Sequence, residues 1–92
     1  MTRYTVLWDA EVESRFVDTW IAADSETRHT MTEIANWVDR TLAIDPDAQG
    51  EGREDLSVRI LVVPVSELRV SVVYQVLPVD RQVRVVRLVF RG

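Results

Sequence analysis

The sequence has no cysteine, no lysine, one histidine and three glycines among its 92 residues. Without cysteine there is neither a disulfide framework nor a thiolate metal site, and the histidine has no partner at a metal-ligand spacing, so we predict no metal site and no cofactor. The glycines, Gly50, Gly52 and Gly92, do not form a phosphate-binding loop. No apolar stretch has the length of a membrane span or a signal-peptide core, and we therefore expect a cytoplasmic protein that does not insert into membranes.

What the chain does contain is an ordinary share of apolar and charged residues, 47% and 28%. That composition and the length predict one globular domain over residues 1–92. The net charge of −4 disfavours a general nucleic-acid binder. Residues 1–55 hold 13 acidic side chains and five arginines, whereas residues 56–92 hold two acidic side chains and six arginines. A basic surface is therefore expected only in the C-terminal part.

The N-terminal half predicts one strand followed by two helices. Residues 3–9 alternate β-forming side chains, which is typical of a strand. An apolar stripe with helical spacing follows, for which Asp9 is expected to supply the N-cap oxygen. Asp24 or Ser25 is expected to cap a second helix, and Pro46 ends it. The two helices form an α-hairpin.

The C-terminal part predicts a sheet, because valine, isoleucine and leucine alternate with isolated arginines. Proline-containing turns divide this part into three strands, at residues 57–65, 68–77 and 81–90. The order β-α-α-β-β-β predicts an α+β fold in which the α-hairpin packs on one face of an antiparallel sheet. In the last strand, strict alternation places Arg87 on the face of Val85 and Arg84 on the opposite face.

The predicted strands carry the arginines that form a candidate site. The planar fork of arginine binds phosphate and stabilises charge in phosphoryl transfer, so arginines beside Tyr74 can bind RNA and assist its cleavage. The alternative is that they form the solvated face of a sheet, since exposed strands alternate apolar and polar residues. The residues are Arg59, Arg69, Arg81, Arg84, Arg87 and Arg91.

Two motifs resemble the RelE/ParE superfamily of small toxins from type II toxin–antitoxin systems. One is the helix exit L-x-x-D-P-x-x-x-G, at Leu42, Asp45, Pro46 and Gly50. The other is the strand meander "RVSVVYQVLPVDRQVRV", residues 69–85. The resemblance spans nearly the whole chain, which looks most like the short plasmid stabilisation type of this superfamily.

The resemblance implies one of two activities, ribosome-dependent cleavage of mRNA or inhibition of DNA gyrase without nuclease chemistry. For the nuclease, it implies three phosphate-contacting candidate catalytic residues, Arg59, Arg69 and Arg87. Candidate binding residues are Arg53, Tyr74, Arg84 and Arg91. Phe90 stands where a C-terminal tyrosine or histidine would transfer a proton, and the long spacing from arginine to tyrosine in the meander implies a β-bulge or a shifted register.

We therefore expect a toxin-like component of a type II toxin–antitoxin module that acts by protein binding, with weak or absent nuclease chemistry, and that binds a cognate antitoxin. One alternative is a metal-independent mRNA interferase that meets the ribosome and its mRNA, which needs a positive concave patch. A gyrase-directed toxin instead needs an exposed apolar or arginine-rich helix surface. The other alternative is a non-toxic interaction module, and a homodimer is compatible with each of them.

Overall fold

In the described part of the chain, one strand precedes two helices and four strands follow them. All five strands belong to one sheet. A computed structural model describes residues 2–53, 57–65 and 69–91, of which the side chains of Arg53 and Arg91 are not described. The elements are β1 (Thr5–Trp8), α1 (Ala10–Ala22), α2 (Ser25–Leu42), β2 (Glu51–Arg53), β3 (Val58–Val63), β4 (Arg69–Leu77) and β5 (Gln82–Arg91). A 3₁₀ turn, Pro46–Ala48, connects α2 to β2.

The strands lie in the order β1-β5-β4-β3-β2. The pairs β2–β3, β3–β4 and β4–β5 are antiparallel, whereas β1 pairs with β5 in parallel. The predicted α+β fold with an α-hairpin on the sheet is confirmed, but the sheet is mixed and has a short additional strand, β2. Three residues that include a glycine carry no alternation pattern, so β2 gave no signal in the sequence.

The core lies between α2 and the sheet. Four side chains of α2, at steps of three or four residues, are almost completely buried: Met31, Ile34, Val38 and Leu42. Ile34, Val38 and Leu42 form one cluster with buried side chains of β3, β4 and β5 that share one face of the sheet: Val63, Val70, Val72, Tyr74, Val83 and Val85. Burying each large apolar side chain contributes roughly 1.5–3 kcal/mol. The helix-forming stripe of α2 is therefore also the main stabilising contact.

Helix α1 is held more weakly, since none of its residues is fully buried. The rings of Trp8 and Phe16 pack edge to face with their centroids 5.6 Å apart. At the other end, Arg28 of α2 donates from Nε to the Trp20 carbonyl at 2.8 Å, and its guanidinium lies 4.6 Å from the centre of the Trp20 ring. One arginine thus joins the two helices by a hydrogen bond and a cation–π contact.

The two predicted helix caps have different outcomes. Asp24 caps α2 as expected: its carboxylate accepts a hydrogen bond from the Thr27 backbone N–H at 2.7 Å, and this bond lowers the pKa of Asp24. Asp9 precedes α1, but its side chain makes no capping hydrogen bond. The predicted cap at Asp9 is wrong because its carboxylate accepts from the Arg84 guanidinium instead.

None of the described helices is both long and apolar enough to cross a bilayer.

A β-bulge changes the alternation of β5. Tyr74 lies opposite Val85, and the preceding residue of β4, Val73, lies opposite Arg87, so that Val86 is an extra residue. The bulge shifts the side-chain phase by one residue. Arg87 consequently shares a face with Arg84, and the prediction from strict alternation is wrong. An irregularity was expected from the long meander; it lies between Val73 and Tyr74, with the extra residue on β5.

Replacement of Ile34 by alanine tests the α2 contact. Ile34 is 0% exposed in the core, so Ile34→Ala removes buried methylene groups and leaves a cavity, and we expect a loss of about 2–5 kcal/mol in the free energy of unfolding. Urea denaturation measures it. Val79→Ala is the matched control, because Val79 is 97% exposed in the β4–β5 turn and its loss should change stability by less than about 0.5 kcal/mol. Equal effects of the two substitutions would contradict the described core.

Candidate functional site

The segment after α2 has an unusual backbone that explains the helix-exit motif. Asp45 has a left-handed backbone (φ 42°), and its carboxylate accepts a hydrogen bond from the Thr2 N–H at 3.0 Å. Gly50 has φ 66°. A Cβ added at Gly50 would lie 2.5 Å from the Ile60 carbonyl oxygen and 3.1 Å from the Tyr74 hydroxyl. Glycine is therefore required at this position by both conformation and space.

The side chain of Tyr74 ties this segment to the sheet. Its ring is fully buried in the core. Its hydroxyl lies 2.9 Å from the carbonyl oxygen of Pro46 and 2.8 Å from that of Gln49, and it donates its hydrogen to this pair. Burial is the main reason that the pKa of Tyr74 is raised, and the neighbouring Arg59 opposes the shift. A buried, neutral phenol that donates to backbone carbonyls is a structural contact.

Arg59 lies directly opposite Tyr74 in the β3–β4 register, so the two side chains share the face on which the helices pack. Its Nε donates to the Gln49 carbonyl at 2.7 Å and its Nη2 to the Gly50 carbonyl at 3.1 Å. We call Arg59, Tyr74 and residues 46–50 the loop anchor. Two donors of the Arg59 fork are engaged there by the chain itself, which leaves less of the fork for a phosphate.

Arg84 lies on the other face of the sheet, where it is engaged by Asp9. The guanidinium of Arg84 forms a two-bond pair with the Asp9 carboxylate, in which Nη2 lies 3.3 Å from Oδ2. The hydrogen bond to Asp9, together with the negative charge of that carboxylate, raises the pKa of Arg84. The pair connects β5 to the start of α1, where a carboxylate is also favoured by the helix dipole. Arg84 therefore joins two elements across the sheet edge.

Arg69 and Arg87 are exposed on the same face as Arg84. Arg87 and Arg84 lie opposite Val73 and Gln75, two residues apart on β4, so their backbones are separated by about 7 Å along the strand. Arg69 lies four residues before Val73, or about 13 Å further along. The face thus brings Arg84 and Arg87 together, while Arg69 is distant and Arg59 points to the opposite side.

Of the remaining candidate binding residues, Tyr74 is the one whose side chain the structure describes. Tyr74 belongs to the loop anchor beside Arg59. The side chains of Arg53 and Arg91 lie outside the described part of the structure, although their backbones pair with Val58 and Arg69. A single cluster of all the predicted site residues is therefore not formed.

A groove that the sequence did not indicate lies between α1 and the second half of β5. It encloses about 410 Å³. Its apolar lining includes side chains from both helices and from β5: Val12, Phe16, Met31, Val86, Leu88 and Phe90. The only signal in the sequence was the pattern of β5 itself, where the bulge turns Leu88 towards the helices, while Arg87 borders the groove together with Asp9, Glu11 and Arg15. A bulge cannot be located from alternation alone.

Comparison with known proteins adds one finding to this geometry. The structure is similar to a solved structure of the E. coli toxin RelE, a double arginine-to-alanine mutant in the free state, with a TM-score of 0.59 over 95% of this chain and 82% of that chain. The chain has a RelE-like fold. The sequence identity to RelE is 17%, and the likeness is one of fold. No family model and no curated protein matches the sequence.

The resemblance stated from the sequence is thus confirmed at the level of the RelE-like fold. The two helices precede the main meander, as the motifs implied, and the helix exit packs against the meander through Tyr74. Of the residues that carried the resemblance, Leu42 and Pro46 are buried. They and Gly50 support the fold.

Replacement of Tyr74 by phenylalanine tests the loop anchor. The ring remains in the core while the Pro46 and Gln49 carbonyls lose the phenol as a donor and keep the Gln49 N–H and Arg59 Nε–H respectively, and we expect the free energy of unfolding to fall by about 0.5–1.5 kcal/mol. The matched control is Tyr4→Phe, since no hydrogen bond of the Tyr4 hydroxyl is found among the described residues. Thermal and urea unfolding of both variants measure the difference. An unchanged stability of Tyr74→Phe would show that the anchor does not depend on the hydroxyl.

The raised pKa of Tyr74 gives a separate prediction. Because the folded-state pKa lies above the ordinary value of 10.0, the unfolded chain loses this proton first, and the contribution of Tyr74 to stability is complete below pH 10 and is lost as pH rises through the folded pKa. The difference in stability between the wild type and Tyr74→Phe should therefore narrow above pH 10. Urea unfolding at a series of pH values measures it, and a widening difference would contradict the burial of the phenol.

Proposed function

We propose that this chain is a toxin-like component of a type II toxin–antitoxin module that acts by binding another protein and is itself bound by a cognate antitoxin. The RelE-like fold supports the first part of the proposal, because the similar structure is that of a toxin. The motifs at the helix exit and in the strand meander point to the same superfamily. A fold alone does not determine an activity, so the choice of mechanism rests on the side chains.

The observation that carries the mechanism is the dispersal of the groups that RNA cleavage would need. Such cleavage requires a base and an acid near the reacting hydroxyl, and cationic groups around one phosphate. The hydroxyl of Tyr74 and the guanidinium of Arg59 are bound to the loop carbonyls. Phe90 has no proton to transfer. Arg69 and Arg87 are on the opposite side of the sheet from Arg59, which argues against one phosphate held by all three.

A surface suited to protein binding supports the same choice. Helix α1 exposes two large apolar side chains, Val17 at 44% and Ile21 at 60%. They lie four residues apart and therefore on one face of the helix. An exposed apolar helix surface is the feature expected of a toxin that acts on a protein such as DNA gyrase, and the net charge of −4 is compatible with such a target.

An mRNA interferase is the second candidate, and one observation favours it. Arg69, Arg84 and Arg87 share the uncovered face of the sheet, where they form a basic surface. Such a surface can follow an RNA backbone through separate phosphates, even though the three arginines do not surround one phosphate. This reading requires an acid and a base that the candidate residues do not supply.

Induced expression in a bacterial host separates these functions. We expect the wild type to arrest growth while transcripts keep intact ends in RNA sequencing. The variant Arg69→Ala/Arg87→Ala removes two exposed charges from the sheet face without disturbing the loop anchor. The matched control is Arg3→Ala/Arg40→Ala, which removes two exposed charges elsewhere.

Each outcome of this experiment has one meaning. Cleaved transcripts that disappear only in Arg69→Ala/Arg87→Ala would establish the interferase and overturn the proposal. Growth that continues with folded wild-type protein at high level would overturn both toxin functions and leave a non-toxic interaction module. Circular dichroism of each purified variant verifies that loss of an effect is not loss of folding.

A further inference from the structure

The sheet has an incompletely paired edge at the second half of β5. Strand β1 pairs only with Gln82–Val85, and the backbone N–H of Asp9 makes the last contact, 3.0 Å from the Val85 carbonyl oxygen. The chain then turns into α1, while β5 continues to Arg91 alongside β4. Within the described residues, the stretch from Val86 to Arg91 therefore has a strand neighbour on one side only.

The register shows which backbone groups face this edge. Val85 directs its carbonyl to β1, so its pairing with Tyr74 is a position at which β4 and β5 exchange no hydrogen bond. Such positions alternate along an antiparallel pair. Beyond the bulge they recur at Val72 opposite Leu88 and at Val70 opposite Phe90. The N–H and C=O groups of Leu88 and Phe90 consequently point away from β4, towards the edge.

The groove lies directly beside this edge. Helix α1 covers one side of the space that a further strand would occupy, and the groove of about 410 Å³ there is lined by Phe16, Leu88 and Phe90. Phe90 is 47% exposed. An added strand would satisfy the edge backbone groups, and alternate side chains along it would enter the apolar groove. The other side chains of that strand would lie on the uncovered face of the sheet.

The charges on that uncovered face determine the chemistry of those other side chains. Arg87 is exposed there, and acidic residues on a strand beside Val86–Arg91 would lie next to it, whereas Arg84 is already paired with Asp9. Opposite charges across a strand pair stabilise it and like charges destabilise it. For that reason a second copy of this chain fits poorly, since pairing of two β5 edges would bring the two copies of Arg87 to one face.

We propose that the edge from Val86 to Arg91, with its groove, binds an extended segment of a partner protein in which apolar and acidic residues alternate. The apolar residues occupy the groove below α1, and the acidic residues lie beside Arg87. The segment extends the sheet as a strand next to the second half of β5. It lies in line with β1, whose pairing with β5 ends at Asp9. This assigns a surface and a partner chemistry that the proposed function leaves open, and it does not require the chain to be toxic.

A synthetic peptide tests the proposal directly. A fluorescein-labelled peptide of about eight residues, long enough to span this part of β5, alternates valine and glutamate. A second peptide alternates valine and lysine. Fluorescence anisotropy with the full chain should show that the valine–glutamate peptide binds about tenfold more tightly. Hydrogen exchange should then slow at the amides of Leu88 and Phe90.

Two variants make the test specific. Phe90→Pro removes an edge-facing N–H without removing a β4 hydrogen bond, and it should abolish binding, whereas Phe90→Ala keeps the N–H and should only weaken it. Arg87→Glu should reverse the preference between the two peptides. Circular dichroism confirms that each variant is folded.

Several results would overturn the proposal. These are no binding of the valine–glutamate peptide, equal binding by Phe90→Pro, or slowed exchange confined to other residues. A dimer of the wild type in sedimentation that Phe90→Pro dissociates would assign the edge to a second copy. Because growth arrest is measured separately, failure of the peptide test does not decide the proposed function, and failure of the growth test does not decide this one.

Discussion

The structure depends on the hydrogen bonds that Tyr74 makes with the segment leaving α2. The ring belongs to the core, and the hydroxyl meets the carbonyls of Pro46 and Gln49, so one side chain fixes both the packing of the sheet and the course of the loop. The Pro46 carbonyl also accepts a hydrogen bond from the Gln49 N–H at 3.4 Å, so the phenol adds a second donor there. Arg59 completes the same set of contacts. Residue types usually associated with catalysis therefore serve the architecture.

A second organising feature is the separation of charge between the two layers. The helices present exposed acidic side chains, among them Glu11, Glu13, Asp18, Glu26, Glu33 and Asp39, whereas the uncovered sheet face presents arginines. The Asp9–Arg84 pair lies where the layers meet. A net charge of −4 thus conceals two surfaces of opposite sign. Each surface favours a different kind of partner, because electrostatic complementarity acts locally at short range.

The sequence predicted the parts of the fold that depend on local periodicity. The α2 stripe, the Asp24 cap and the end of α2 before Pro46 follow from residue type and spacing. The parallel position of β1 and the extra residue Val86 do not, because strand order and bulges are settled by tertiary packing. The environments of the candidate site residues could not be predicted for the same reason. Arg59, Arg84 and Arg87 each lie between apolar residues of a strand, but the residues that contact them come from distant parts of the chain and differ for each arginine.

The position of β1 has a consequence for how the protein is made. Of the described strands it is synthesised first, yet its partner in the sheet is β5, which is synthesised last. Until β5 has been synthesised, a nascent chain therefore carries β1 without its partner strand and a helix hairpin that the sheet does not yet cover, and exposed apolar surface of this kind invites misassembly. The sheet closes only after β5 has been made, so the time for which the growing chain stays open is set by translation of the residues between β1 and β5.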